Sequence, residues 1–147
     1  MLIDTHAHLY WENYRRDLDE VIQRSLDAGV TTIINVGVDV ELSKKALQQV
    51  QGKLANISGL AAYSTIGIHP HEAIKYFNGQ IYHDRDKNVQ SDTARLEQIY
   101  KSNPQKVIAV GECGLDYFFD PEFTPSTLSH SDMKQLQRQL FQAQIDL

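Results

Sequence analysis

Short apolar segments and amphipathic segments alternate along this chain, and this alternation restricts its fold more than any other feature. The apolar segments predict four strands, at Leu2–His6, Thr31–Val36, Tyr63–Ile68 and Val107–Val110. After each of them, apolar residues recur at the spacing of a helix face. Strictly alternating strands and helices imply parallel strands joined by right-handed crossovers. The sequence therefore predicts an α/β fold with a parallel sheet.

The predicted helices have recognisable ends. Asp39 can cap the second helix, and Gly29 and Gly52 are placed to end the first and second helices. Two polar segments, 75–91 and 118–131, are predicted to be long loops that follow strands and rim one end of the sheet. Apolar residues at helical spacing mark four helices, at Tyr14–Leu26, Leu42–Val50, Leu96–Tyr100 and Met133–Leu147.

Composition is that of an ordinary globular domain. The 147 residues are 41% hydrophobic and 22% charged, which suits a single domain spanning residues 1–147. No apolar run approaches the roughly 20 residues of a membrane span. Cys113 is the single cysteine, so a disulfide framework is excluded and a cytoplasmic location is expected. The net charge of −5 argues against a broadly basic nucleic-acid-binding face. It leaves a phosphodiester substrate open, because bound cations can reverse the local field.

The first predicted strand ends in Asp4-Thr5-His6-Ala7-His8. Side chains two residues apart leave a strand on the same face, about 6.6 Å apart along it. Two imidazoles at that spacing can converge on one ion with bonds of about 2.0–2.1 Å. Alone, such a pair is more often a surface or core feature. The fourth strand, however, ends in Gly111-Glu112 and supplies a carboxylate, so His6, His8 and Glu112 are predicted metal ligands.

Strand polarity supports this prediction. The histidine pair, the His69-Pro70-His71 turn and Glu112 all follow the C-terminal ends of predicted strands. Parallel α/β sheets and barrels place their active sites at that end. The pattern therefore indicates a metal-dependent hydrolase.

Three segments, 4–8, 67–71 and 111–117, together resemble the TatD-type metal-dependent deoxyribonucleases of the amidohydrolase-like TIM barrels. The His-Pro-His turn and the Gly-Glu-Cys-Gly-Leu-Asp-Tyr segment are the most specific part of the resemblance, which extends from residue 2 to residue 147. A full barrel of this type has about 250 residues. The resemblance therefore implies four βα units, a half barrel that ends before the expected fifth strand.

The resemblance also implies roles for the strand-end residues. His6, His8 and Glu112 would bind one or two divalent cations, of which Zn, Mn, Mg and Fe are all compatible with such donors. Glu112 would be catalytic as the carboxylate ligand and could bridge to a second ion. His69 would face the substrate and donate to a phosphate oxygen, although a turn histidine bonded to backbone is the alternative.

Neighbouring residues have weaker implied roles. Asp4 could orient a ligand histidine or simply accept a hydrogen bond at the strand end. His71 and Asp116 could support the site, and for Asp116 a structural role is the alternative. Tyr10 and Trp11 could stack on a base or pack the first loop.

The resemblance implies hydrolysis of DNA phosphodiesters by a metal-activated water. Ligands expected on later strands are missing, so we expect the chain alone to bind metal weakly and to have little or no nuclease activity. Self-association or pairing with a complementary half barrel is expected to cover the open sheet edges. The alternatives are a polymerase–histidinol phosphatase-type phosphoesterase, a ring amidohydrolase, and a non-catalytic α/β assembly module.

Overall fold

The computed structural model describes residues 1–76, 88–119 and 128–147. Within these ranges, the strands form one parallel sheet in the order β1-β2-β3-β4. The strands are β1 (Leu2–Ala7), β2 (Val30–Asn35), β3 (Ala61–Ile66) and β4 (Val107–Val110). Because their spatial order is their order in the chain, each crossover adds the next strand on the same side. The predicted α/β fold of four parallel βα units is confirmed.

Helices follow each strand. They are α1 (Leu18–Asp27), α2 (Val40–Gln51), α3 (Val89–Ser102) and α4 (His130–Ile145), with 3-10 helices at Glu12–Tyr14 and Pro70–Tyr76. Asp39 caps α2 as predicted, because its side chain accepts a hydrogen bond from the Leu42 amide. Gly29 follows α1 with a φ of 87°, a conformation that glycine adopts without strain. None of the helices in the described part of the chain is long and apolar enough to cross a membrane.

Several element boundaries differ from the prediction. β1 ends at Ala7 instead of His6, β2 lies one residue earlier than Thr31–Val36, and α3 begins at Val89, inside a segment predicted to be a loop. β3 starts and ends two residues earlier than Tyr63–Ile68, because the chain leaves the sheet at Gly67 to meet the end of β4. Tyr14 lies in a 3-10 helix before α1, yet it still packs against the same apolar cluster as that helix. The predicted loops 75–91 and 118–131 fall mainly on 77–87 and 120–127, which lie outside the described residues.

The core consists of apolar residues between the sheet and the helices. One cluster joins β2 and β3 to α1 and α2, and its buried members are Leu9, Ile22, Ile33, Val50, Leu54 and Ala62. The other joins β3 and β4 to α2, α3 and α4, and its buried members are Val40, Leu47, Ile66, Ile68, Ala73, Leu96, Val107 and Leu140. Burying each large side chain contributes about 1.5–3 kcal/mol. Both clusters pack the helices against the sheet and so fix the relative positions of the strand ends.

The two edge strands carry exposed apolar side chains. Leu2 and Ile3 in β1 are 57% and 54% exposed, and Ile108 in β4 is 48% exposed. Such edges favour pairing with another strand. Association through them stays a prediction.

Candidate metal centre

Three potential ligands converge where β1 and β4 end. The Nε2 atom of His6 lies 3.2 Å from Nε2 of His8 and 3.0 Å from Oε1 of Glu112. All three donor atoms lie within 4.8 Å of one another. In a tetrahedral site with bonds of about 2.0–2.1 Å, neighbouring donors are about 3.3 Å apart. The spacing and the mixed nitrogen and oxygen chemistry of this His6–His8–Glu112 cluster therefore fit a shared divalent cation.

The imidazole of His8 is oriented by the main chain of Val36, the residue that follows β2. Its Nδ1 lies 2.9 Å from the carbonyl oxygen of Val36 and 3.1 Å from the hydroxyl of Tyr10, which itself donates to that carbonyl at 2.7 Å. A carbonyl can only accept, so Nδ1 carries the proton and the Nε2 lone pair faces the cluster. Trp11 stacks on the His8 ring, with centroids 4.4 Å apart and an interplanar angle of 7°. Burial raises the pKa of Tyr10, so its hydroxyl remains a donor.

Two side-chain amides, of Asn35 and Gln49, fix the residue after His8, and that of Asn35 is fully buried. The Leu9 amide donates to Oδ1 of Asn35 at 2.9 Å, and Nε2 of Gln49 donates to the Leu9 carbonyl at 3.0 Å. Asn35 in turn donates to Oε1 of Gln49 at 2.9 Å. This network, which the sequence analysis missed, ties the end of β1 to β2 and α2. Its signal in the sequence is an asparagine at the end of an otherwise apolar strand.

Glu112 is held by backbone contacts. Its amide donates to the carbonyl of Gly37 at 2.8 Å, and Thr65 donates through Oγ1 to the carbonyl of Gly111. The Gly111–Glu112 peptide bond is cis. Gly67 lies so close that an added Cβ would be 2.5 Å from the Glu112 carbonyl oxygen and from the Gly111 carbonyl carbon. The Glu112 main chain is therefore fixed by the ends of β2 and β3.

The His-Pro-His turn forms a second polar group beside the cluster. The amide of His71 donates to Nδ1 of His69 at 3.2 Å, so a neutral His69 carries its proton on Nε2. Burial lowers the pKa of His69, while Glu112 and Asp116 act in the opposite direction. Nε2 of His71 lies 2.9 Å from Oδ2 of Asp116, but not along a hydrogen-bonding direction. His69 is thus available as a neutral donor near two carboxylates.

Two buried glutamines dock α4 against this group. Gln137 accepts from the Asp116 amide at 2.9 Å and donates to its carbonyl at 2.6 Å. Gln144 makes the same pair of bonds with Ile68, at 2.7 Å and 2.9 Å. The two side chains are 2% and 3% exposed. They lie seven residues apart, about two helical turns, and therefore on one face of the helix. The sequence analysis missed both roles, although amides on the apolar face of a helix are a usable signal.

Asp4 and Asp116 contact groups other than the donor atoms of the cluster. Oδ1 of Asp4 accepts a hydrogen bond from the backbone amide of His6 at 3.0 Å. This is a hydrogen bond at the strand end and not a contact with a ligand imidazole. Asp116 approaches His71. Within the described residues, neither carboxylate forms a hydrogen bond or ion pair with the side chain of His6, His8 or Glu112.

Fold and site together define a class: an α/β fold of four parallel βα units with potential metal ligands at the C-terminal strand ends. Comparison with known families makes the assignment specific. The sequence profile described as TatD related DNase matches residues 3–147. The chain belongs to this family.

Relatives of known name agree with this assignment. The chain is 33% identical over 147 residues to the "Uncharacterized metal-dependent hydrolase YabD" of Bacillus subtilis, covering 100% of this chain and 46% of that protein. It is 32% identical over 116 residues to the "3'-5' ssDNA/RNA exonuclease TatD" of Musicola paradisiaca, covering 79% of this chain and 37% of that protein. The chain thus spans less than half the length of these relatives.

A solved structure shows the same architecture. The crystal structure of the TatD homologue YjjV from Escherichia coli K12 aligns with a TM-score of 0.69 and 26% identity. The alignment covers 99% of this chain and 45% of that one. The four βα units therefore correspond to part of a longer fold.

Proposed function

We propose that this chain carries part of the active site of a metal-dependent phosphodiester hydrolase that acts on DNA. The observation that carries the proposal is the convergence of His6, His8 and Glu112 at the strand ends. Family membership and the printed names of the relatives, a metal-dependent hydrolase and an ssDNA/RNA exonuclease, support it.

In this proposal His6, His8 and Glu112 would hold a divalent cation. Nitrogen and carboxylate donors suit Zn, Mn and Fe, and Mg more weakly. When bound, such a cation lowers the pKa of a water molecule and stabilises the charge that develops on the phosphate. The Val36 carbonyl keeps the His8 lone pair directed at the cluster, and the contacts of Gly37 and Gly67 hold the Glu112 main chain.

His69 is proposed to bind the substrate phosphate. The His71 amide occupies Nδ1, so Nε2–H is the free donor of the neutral ring. The lowered pKa of His69 keeps that ring neutral near pH 7. A neutral donor can bind a phosphate oxygen without forming an ion pair with Glu112 in the absence of substrate.

The isolated chain is proposed to be a weak hydrolase. In the residues that the structure describes, His6, His8 and Glu112 are the one group of histidine, cysteine and carboxylate side chains close enough to share an ion. Three protein ligands can hold a cation with open positions. A two-metal site needs further donors, so hydrolysis should be slow.

Calorimetric titration of the 147-residue chain with Zn²⁺ or Mn²⁺ tests the site. We expect binding that His8→Ala and Glu112→Gln weaken strongly. The matched control is His130→Ala, because His130 is an exposed histidine at the start of α4 outside the cluster. Equal binding by all variants would refute the metal centre, and fast DNA cleavage abolished by His8→Ala would refute only the weak activity.

Substrate class is tested by comparing hydrolysis of a labelled oligonucleotide, a phosphomonoester and a cyclic amide in the presence of Mn²⁺. The proposal expects detectable turnover of the oligonucleotide only. Preference for the phosphomonoester would favour a phosphatase, and preference for the amide would favour a ring amidohydrolase. An assembly module would show neither turnover nor metal binding.

A further inference from the structure

The outer edge of β4 borders an apolar groove. Among the described residues β4 pairs with β3 on one side, and its other side has no strand beside it. Ile108 and Val110 of β4 are 48% and 38% exposed. A groove of about 560 Å³ extends from this strand to Tyr100 in α3 and to Leu147 after α4. Unpaired backbone groups next to apolar side chains suit the addition of an extended strand.

β1 forms the opposite edge of the sheet and also exposes apolar side chains. Leu2 and Ile3 are 57% and 54% exposed, and among the described residues β1 pairs with β2 alone. All four strands are parallel, so β1 of a second copy can follow β4 without a change of direction. The two edges therefore match in direction and in apolar character.

The sheet is curved in the way that closure requires. β1 and β4 are three strand spacings apart, which is about 14 Å in a flat sheet. Side chains stand roughly perpendicular to a sheet, so residues at the two edges of a flat one would not meet. Nε2 of His6 and Oε1 of Glu112 nevertheless lie 3.0 Å apart. The sheet therefore curls around the His6–His8–Glu112 cluster.

We propose that two copies of this chain close one eight-stranded barrel, in which β4 of each copy pairs in parallel with β1 of the other. A closed barrel of parallel strands and helices has eight strands, and each copy supplies four. A two-fold axis along the barrel produces both β4–β1 interfaces at once and covers every open edge. Pairing through two β4 edges would instead leave both β1 edges open. Ile3 and Ile108 each lie one residue after the start of their strands, so pairing with aligned starts places them side by side.

The pair also brings a second set of potential ligands to the candidate metal centre. All strands of the closed barrel end on the same side, so His6, His8 and Glu112 of the second copy reach the same mouth. They supply further donors of the kind that a two-metal site needs. This consequence rests on the proposed function, whereas the pairing of the strand edges does not.

Sedimentation of the 147-residue chain in EDTA tests the pairing, because no metal ion takes part. We expect a species of twice the 16.7 kDa of one chain. Ile108→Lys and Ile3→Asp each change both interfaces of the symmetric pair and bury an unpaired charge. Each variant alone should therefore raise the dissociation constant of the dimer at least about ten-fold. The matched control is Ala94→Lys at an exposed position of α3, which should stay within about two-fold.

Mixing the two interface variants distinguishes the proposed closure from other pairings. A mixed dimer has one unaltered β4–β1 interface and one in which the two introduced charges are opposite. We expect the mixture to contain more dimer than either variant alone, with circular dichroism showing that both remain folded. A monomeric parent chain, an open series of larger oligomers, no effect of Ile3→Asp, or no recovery on mixing would overturn the proposal. Normal dimers that bind no metal would instead count against the proposed function alone.

Discussion

His6 and Glu112 approach each other to 3.0 Å, yet the chain holds them in opposite ways. The side chain of Glu112 is 24% exposed, and its main chain is fixed by Gly37 and by close contact with Gly67. The side chain of His6 is 54% exposed, and within the described part of the chain its polar contacts are with His8 and Glu112. Both ligands belong to the edge strands β1 and β4. The main chain of Glu112, however, packs against the ends of β2 and β3, whereas the side chain of His6 is more than half exposed.

This difference separates stability from function within one site. A substitution that alters the backbone contacts of Glu112 should lower the free energy of unfolding as well as metal affinity, because the ends of β2, β3 and β4 meet there. A change on the His6 side should affect ligand binding alone. The following predictions test that separation.

Gly67→Ala should have the largest effect. An added Cβ would lie 2.5 Å from the Glu112 carbonyl oxygen and the Gly111 carbonyl carbon, so the backbone must move. We expect the free energy of unfolding to fall by about 3 kcal/mol, the upper end of overpacking costs, with loss of metal binding. Urea denaturation and calorimetry measure the two effects.

Gly29→Ala is the matched control for Gly67→Ala. Nothing lies within 4 Å of an added Cβ there, but the φ of 87° is unfavourable for alanine. It should cost about 1–2 kcal/mol and leave metal binding intact. If Gly29→Ala is the more destabilising variant, close backbone contact at Gly67 is not what holds Glu112.

Gln144→Ala tests whether the tightly packed region around the Glu112 main chain extends to Ile68, which directly precedes the His-Pro-His turn. The substitution leaves the buried N–H and C=O of Ile68 without partners, which should cost about 2–3 kcal/mol. Gln142→Ala, which removes an exposed amide bonded to Asp146, should stay within about 0.5 kcal/mol. Chemical denaturation of both variants decides the point, and similar costs would contradict it.

Replacing His8 or His6 with alanine should weaken metal binding to a similar extent, but only the His8 variant should lose stability. His8→Ala loses the bond to the Val36 carbonyl and the stacking with Trp11, so we expect a loss of about 1 kcal/mol in EDTA. His6→Ala should stay within about 0.5 kcal/mol. Both should weaken metal binding at least about ten-fold. Equal destabilisation of the two variants in thermal unfolding would show that His6 also stabilises the fold.

The smallest effect concerns pH. Burial lowers the pKa of His69 below its ordinary value of 6.5. As pH falls below 6.5, the unfolded chain therefore takes up this proton more readily than the folded chain, and stability decreases. His69→Gln should make that decrease shallower. An NMR titration of His69 with a midpoint above 6.5 would contradict the prediction.

The fold was largely predictable from the sequence, because strand and helix patterns alternate and only a parallel sheet suits them. β4 spans the predicted residues, whereas the end of β3 depends on the contact of Gly67 with a strand about forty residues later. The three potential ligands could be found because spacing within β1 and the common polarity of parallel strands place them together. Asn35, Gln137 and Gln144 were missed, because a sequence pattern shows that an amide is buried but not which backbone group it meets.

The two glutamines of α4 have an evolutionary consequence. They bind the N–H and C=O of Ile68 and Asp116, groups that every amino acid except proline provides in full. The hydrogen bonds that hold the helix therefore do not depend on which side chain stands at position 116, whereas position 68 is also constrained by the core. Because α4 is held through main-chain groups of the strand-end segments, exposed side chains in those segments can change while the helix keeps its place.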